Sequence, residues 1–374
     1  MKQRIARIHD LLGLLNALYP PSLAEEWDNP GVQAGDVQAK VSKVLICLDP
    51  SEQALRAAAE AGAQALLCHH PLLFKPLHNL TLETETGRIL FAAMRHRIVI
   101  LAAHTNLDRA SNGLNDWLAA ALGLDSCRPL QGGDASLVKV IVYVPAGYES
   151  PVVKALFEAG AGHVGDYDSC SFRSEGIGTF RPARGCSPFM GTVGEQSRVR
   201  EVRLETVIPR DRLQRAVDRM VRAHPYEEVA YDLVPLANRR TDCGLGRIGR
   251  LTSKRTLQDF AETIKKALGV PVLRMVGDPR ATVAKVAVCG GSGAGLLREA
   301  AHQGADVLVT GDVKYHEARE AASLGLALVD AGHFATERLM IGPLADTLTQ
   351  AAAAQGLEIA FITYEGEEDP FKTI

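Results

Sequence analysis

Two adjacent histidines, His69 and His70, close the apolar run Ala63 to Cys68, and Pro71 follows them at once. Such a run reads as a buried β-strand, and side chains alternate along a strand. The two imidazoles are therefore expected to diverge, so that two neighbouring ions suit them better than one. Ligands of open α/β sheets sit outside the carboxyl ends of the strands, which is where this pair stands. Metal ligation is the expected role, with hydrogen-bonded loop histidines as the other reading. Two further pairs carry similar chemistry. His104 and Asp108, and His333 and Glu337, are each four residues apart. On a helix each imidazole would share a face with its carboxylate, making half of a metal site. The competing reading has Asp108 capping the helix that contains Leu114 and Leu118, and Glu337 in a solvated first turn.

Other polar groups are placed less sharply. Asp312, Lys314 and His316 follow a strand and are expected to reach the same cleft, where they would support ligands or move protons. A solvated helix start explains them equally well. Gly290-Gly291-Ser292-Gly293-Ala294-Gly295 is neither a dinucleotide fingerprint nor a Walker loop. It reads as a tight turn or an anion nest, and only weakly as a nucleophile elbow at Ser292. His224-Pro225-Tyr226-Glu227-Glu228 reads as a loop with exposed carboxylates rather than a ligand set.

The elements that must position these residues alternate. The spacing of Ile5, Ile8, Leu11, Leu12, Leu15 and Leu18 predicts a helix over Arg4 to Tyr19, ended by Pro20-Pro21. A strand at Val44 to Leu48, a helix from about Asp49 to Ala61, the strand Ala63 to Cys68, a helix near Gly87 to Arg95 and the strand Ile98 to Ala103 follow. This is βαβ alternation, with helices over a largely parallel sheet. The pattern recurs. Sliding the chain by 242 positions lays Lys43-Val44-Leu45-Ile46-Cys47 on Lys285-Val286-Ala287-Val288-Cys289, and His69-His70 on Gly311-Asp312. A slide of 229 lays His104 on His333 and Asp108 on Glu337. A duplicated half-molecule is expected.

Between the halves the order changes to β-α-β-β-α-β: strand Val138 to Val144, helix Ser150 to Ala159, hairpins from Cys170 to Gly194, strand Arg200 to Val207, helix Arg210 to Ala223 and strand Glu228 to Val234. That is a ferredoxin-like order. The expected organisation is α/β: residues 1–132 and 239–374 as two βαβ-rich halves of one core, with residues 133–238 as an inserted α+β domain. Thr241 to Gly249 reads as the glycine-rich junction that returns to the core.

Composition sets bounds. The chain has 374 residues, 47% hydrophobic and 23% charged, with a net charge of −3. This composition is that of globular protein and offers no bulk electrostatic signal for nucleic acid. Seven cysteines without a C-x-x-C fit a reducing, cytoplasmic compartment. No apolar run is long enough for a membrane span.

Taken together, Trp27-Asp28-Asn29-Pro30-Gly31-Val32-Gln33-Ala34-Gly35, Cys68-His69-His70-Pro71, His104 to Asp108, Thr310-Gly311-Asp312 and Gly332 to Glu337 resemble the Nif-three-like family, also called GTP cyclohydrolase I type 2 homologues. The resemblance implies a dinuclear centre of two divalent ions per subunit on His69, His70, Asp108, His333 and Glu337, with Glu337 bridging. It also implies a ring-shaped homohexamer, and a middle segment similar to the CutA and PII-like fold. The expected function is hydrolysis of a small molecule such as a purine nucleotide, with Zn, Fe or Mn as the metal and His104, Asp312 and His316 moving protons. The alternative is a metal-binding, trafficking or regulatory protein without turnover.

Overall fold

The computed structural model describes residues 5–132, 137–165, 167–238 and 240–372. Arg4 and Gly133, the expected starts of the first helix and of the middle segment, lie outside them. Helix α1 runs Ile8–Leu18, later than the periodicity predicts. Main-chain groups at and before its start are spent elsewhere: Ala6 accepts from the Val41 N–H, and the N–H of Ile8, the first helical residue, donates to Ala39. Strands β1 (Gly31–Ala34) and β2 (Lys43–Cys47) follow, then α2 (Glu52–Glu60), whose N-terminal amide at Ala54 is capped by the Ser51 hydroxyl at 3.0 Å. Next come β3 (Ala65–Cys68), α3 (Glu85–His96), β4 (Val99–Ala102), the short α4 (Thr105–Arg109), α5 (Leu114–Ala121) and β5 (Leu124–Gly132).

The chain continues with β6 (Leu137–Pro145), α6 (Glu149–Glu158), β7 (Phe172–Phe180), β8 (Ser197–Pro209), α7 (Leu213–Ala223) and β9 (Tyr231–Pro235). The expected glycine-rich junction is instead the start of a long strand, β10 (Gly244–Thr256). Its glycines remove side chains where β5 comes close: a Cβ at Gly249 would lie 2.6 Å from the Cys127 sulfur. Then follow α8 (Leu257–Leu268), β11 (Arg274–Val276), β12 (Thr282–Val288), α9 (Leu297–His302), β13 (Val307–Thr310), α10 (Tyr315–Ser323), β14 (Ala327–Asp330), α11 (His333–Arg338), α12 (Ile341–Ala354) and β15 (Ala360–Thr363).

Contacts divide the chain into two compact units, Met1–Gly132 with Asp242–Ile374, and Gly133–Thr241. The first holds a five-stranded sheet, β1-β4-β3-β2-β15, and a six-stranded sheet, β11-β14-β13-β12-β10-β5. In each, three consecutive parallel strands (β2, β3, β4 and β12, β13, β14) run beside an antiparallel edge strand. β2, β3, β4, β13 and β14 are buried almost throughout, and β12 is buried at its carboxyl end, as parallel strands with both faces covered must be. The second unit is a four-stranded antiparallel sheet, β7-β8-β6-β9. Its even-numbered β6 side chains Val138 to Val144 pack with α6 and α7 in one core.

One buried charge ties distant parts of the first unit together. Arg247 on β10 is 2% exposed. Its Nε and Nη2 reach the two Asp116 oxygens at 2.5 and 2.8 Å, and it donates to the carbonyls of Gly244, Gly246 and Ala110 at 2.7, 2.9 and 2.6 Å. Cys47, Cys68, Cys127, Cys170, Cys186 and Cys289 are free thiols. Among the described residues no helix is long and apolar enough to cross a membrane.

Candidate metal centre

The carboxyl ends of β3, β4, β13 and β14 carry the polar residues that the sequence singles out. β3 stops at Cys68, and the chain bends because the amides of His69 and His70 both donate to the Leu48 carbonyl, at 3.1 and 3.0 Å. The bend cancels strand alternation. Instead of diverging, the two rings lie 5.1 Å apart and aim at the same place, which corrects the expectation of opposed imidazoles.

After β4, His104 precedes α4, and Asp108 lies one turn on. After β14, Gly332 takes a φ of +83° and α11 begins at His333, with Glu337 one turn on and only 4% exposed. Neither carboxylate has the competing role. The N-cap of α5 is Gly113, with Asp116 in its first turn, and Glu337 is buried rather than solvated.

Distances join the three segments. His69 Nε2 lies 3.5 Å from Asp108 Oδ1 and 3.8 Å from Glu337 Oε1. Glu337 Oε2 lies 3.0 Å from His70 Nε2 and 2.9 Å from His333 Nε2. The last two nitrogens are themselves 3.3 Å apart. His69, His70 and His104 form one group able to hold a metal ion, and His70, His333 and Glu337 form another.

The other ring nitrogens explain the orientation. Nδ1 of His69 meets the Ala103 carbonyl at 2.8 Å, that of His70 meets Asp49 at 2.8 Å, that of His104 meets Asp28 at 2.8 Å, and that of His333 meets Asp312 at 2.7 Å. An oxygen acceptor at Nδ1 places the proton there and leaves the Nε2 lone pair facing the cluster. Metal-binding histidines are held this way. His69 Nε2 and Asp108 Oδ1 are buried with no satisfying hydrogen bond, a costly state for polar atoms unless something else meets them. The donor set therefore fits a divalent cation.

The glycine turn after β12 serves the same site from behind. Its amides at Gly290, Gly291 and Gly293 donate to Asn115, Thr336 and Thr310 at 2.9, 3.0 and 2.8 Å. Those donors are spent on neighbouring elements rather than on an anion. Gly291 has a φ of +60°, and a Cβ there would fall 2.2 Å from Glu337 Oε1, so the glycine makes room for that carboxylate.

Of the expected proton carriers, His104 stands in the cluster, and Asp312 bonds His333 from outside it. His316 is exposed on α10, its ring against Tyr315 at 5.4 Å, and is not brought to the cluster. The anchors Asp49 and the Ala103 carbonyl escape sequence reasoning. Asp49 looks like a helix start, and only its place beyond β2, next to β3, could have flagged it.

Electrostatics bind the cluster tightly in the absence of a cation. Burial disfavours a charged His70, but hydrogen bonds to Asp49 and Glu337 outweigh it and raise its pKa to about 10. The Glu337 hydrogen bond overcomes burial at His333 and raises it to about 9. Burial lifts Asp108 to about 6 despite His69. Burial acts the same way on Glu337, yet His69, His333 and His70 hold it well below the usual carboxylate range. The raised imidazoles stabilise the metal-free fold below about pH 6.5, a contribution lost as pH climbs through about 9 and about 10. A cation must displace these protons. Loading at neutral pH is therefore expected to release protons, with apparent affinity rising about ten-fold per pH unit for each proton displaced. Chelator competition at pH 6, 7 and 8 reads this; an affinity independent of pH would contradict it.

Comparison with known proteins finds relatives along nearly the whole chain. A family model described as Duf34/NIF3 (NGG1p interacting factor 3) matches residues 6–370. A Halalkalibacterium halodurans protein named GTP cyclohydrolase 1 type 2 homolog is 41% identical over 372 residues, covering 99% of this chain and 100% of its own. A Bacillus subtilis protein of the same name is 41% identical over 362 residues, covering 96% and 97%. The crystal structure of a Bacillus cereus protein related to NIF3 superposes with a TM-score of 0.90 at 41% identity, covering 99% of this chain and 100% of that one.

Proposed function

The chain belongs to the Duf34/NIF3 family, and on that premise we propose that its imidazole–carboxylate cluster holds two divalent ions and serves the hydrolysis of a nucleotide. His69, His70, Asp108, His333 and Glu337 would hold the ions. Glu337 would be the shared ligand, since its Oε1 faces His69 while its Oε2 faces His70 and His333. Mixed imidazole and carboxylate donors suit Zn, Fe(II) or Mn(II). When bound, such ions supply Lewis acidity and bring the pKa of a coordinated water to about 7.

The chain's own groups do the rest. His104 faces the cluster through Nε2 while Asp28 holds its Nδ1 proton at 2.8 Å. Asp28 is fixed in turn by the Thr105 amide at 3.0 Å and by the Thr105 hydroxyl. His104 Nε2 is the atom placed to take the proton that hydrolysis releases. Asp312 orients His333. The observation that carries this reading is the outward anchoring of Nδ1 in His69, His70, His104 and His333, which turns every Nε2 towards buried carboxylates.

The name of the relatives directs the first screen to GTP, followed by other nucleotides and phosphoesters. Metal-loaded protein is expected to turn one of them over, and chelator treatment to abolish it. His104→Ala should lower turnover about 10²- to 10⁴-fold with metal retained on the five remaining ligands. Metal-loaded protein inert across the screen would overturn the hydrolase reading and leave a metal-holding protein.

The same proposal reads the two parallel-strand trios as a duplication, with His104 and Asp108 after β4 answering to His333 and Glu337 after β14. It reads the β-α-β-β-α-β unit as a ferredoxin-like, CutA/PII-like insert.

A further inference from the structure

The Gly133–Thr241 unit contains a cavity lined by its own residues. One face of its sheet is covered by α6 and α7. On the other face, Tyr143, Glu201, Gly178 and Phe180 help to line a cavity of about 300 Å³, roofed by the segments around Phe189 and Tyr226. That volume is at the small-molecule end of ligand pockets.

Its walls are aromatic and held in place. Tyr226 stands edge-on to Phe180 at 5.9 Å and near Phe189 at 6.3 Å. His224, 7% exposed, anchors it from behind: the Tyr226 amide donates to Nδ1 at 3.1 Å, and Nε2 bonds the Tyr143 carbonyl at 3.0 Å. An imidazole that accepts at one nitrogen and donates at the other is neutral, and burial holds this one below its ordinary pKa. The Tyr226 hydroxyl donates to Glu201 Oε1 at 3.0 Å. A Cβ at Gly178 would lie 2.1 Å from Glu201 Oε2, so the glycine leaves the carboxylate room to lie across β7.

The charge on the lining is lopsided. Glu201, Glu227 and Glu228 face a single guanidinium, Arg181. Two of these carboxylates already accept hydrogen bonds, Glu201 from Tyr226 and Glu227 from the Ser187 amide at 3.0 Å. A primary ammonium needs three acceptors and would find few here. An alkylated ammonium needs none, and gains from aromatic faces and nearby negative charge. We propose that this cavity binds a substituted, choline-like ammonium cation, with Tyr226 and Phe180 against its alkyl groups and Glu201 supplying the counter-charge. The inference is independent of the hydrolase reading.

The test uses the full-length, metal-loaded protein and calorimetric titration with choline. As controls, its uncharged isostere 3,3-dimethylbutan-1-ol, ethanolamine and inorganic phosphate are titrated in parallel. Choline is expected to bind saturably, at least about ten-fold more tightly than the isostere or ethanolamine. Glu201→Gln, which keeps the shape and removes the charge, should weaken choline about ten-fold, and Tyr226→Ala should abolish binding. Neither should alter metal content, which separates this result from any failure at the metal centre. No saturable choline binding, equal binding of the isostere, preferential binding of phosphate, or an unchanged affinity in a folded Glu201→Gln would each overturn the assignment.

Discussion

Glu337→Ala is expected to empty the metal centre. Wild-type protein should carry about two metal equivalents per chain, and the variant should retain well under one, with affinity reduced at least about 100-fold. The reason is position. Glu337 is the group that reaches His69 with one oxygen and both His70 and His333 with the other, so its loss opens both halves at once. A subtler variant separates charge from position. Gly291→Ala keeps every donor atom but drives a methyl group into the space of Glu337 Oε1, at a backbone φ of +60° where an L-residue is strained. It should weaken metal binding in the same direction. Elemental analysis after dialysis against a weak chelator reads both. Full metal retention in Glu337→Ala would remove the shared carboxylate from the centre.

The largest effect on stability is expected at Arg247, far from any ligand role. Arg247→Ala should lower unfolding free energy by about 3–5 kcal/mol, the usual cost of breaking a buried ion pair from one side. The substitution leaves Asp116 and the carbonyls of Ala110, Gly244 and Gly246 without their donor. Those groups come from α5, its preceding loop and β10, so damage should spread across the pairing of β5 with β10. Arg247→Met, which keeps the bulk, should recover little because the carbonyls still lack partners. Denaturant melts of the two variants measure this, and a loss under about 1 kcal/mol would show that water replaces the guanidinium.

The residues of the centre were legible because each stands where a buried strand ends. Alternating apolar and polar segments expose strand ends in one dimension. His69, His70, His104, Asp108, His333 and Glu337 all surfaced in that way. What stayed hidden depends on the third dimension. Strand alternation mispredicted the splay of His69 and His70, because a two-amide grip by the Leu48 carbonyl bends the chain just where the rule stops applying. Asp49 is indistinguishable from an ordinary residue before a helix until β2 is seen beside β3. Arg247 lies in a glycine-rich stretch that reads as a junction, and its burial follows only from the pairing of β10 with two partners.

The first sheet is closed by β15, Ala360–Thr363, which lies alongside β2 from the other end of the chain. During synthesis, therefore, β2 must wait for Ala360–Thr363 to emerge before this edge of the sheet can close. The Gly133–Thr241 unit draws its strands and core from its own stretch and can settle while later residues are still being added. At about 5–20 residues per second, the histidines at the end of β3 spend on the order of tens of seconds outside the ribosome before Glu337 joins them. Any cation capture that needs Glu337 would consequently come well after the β3 histidines have emerged.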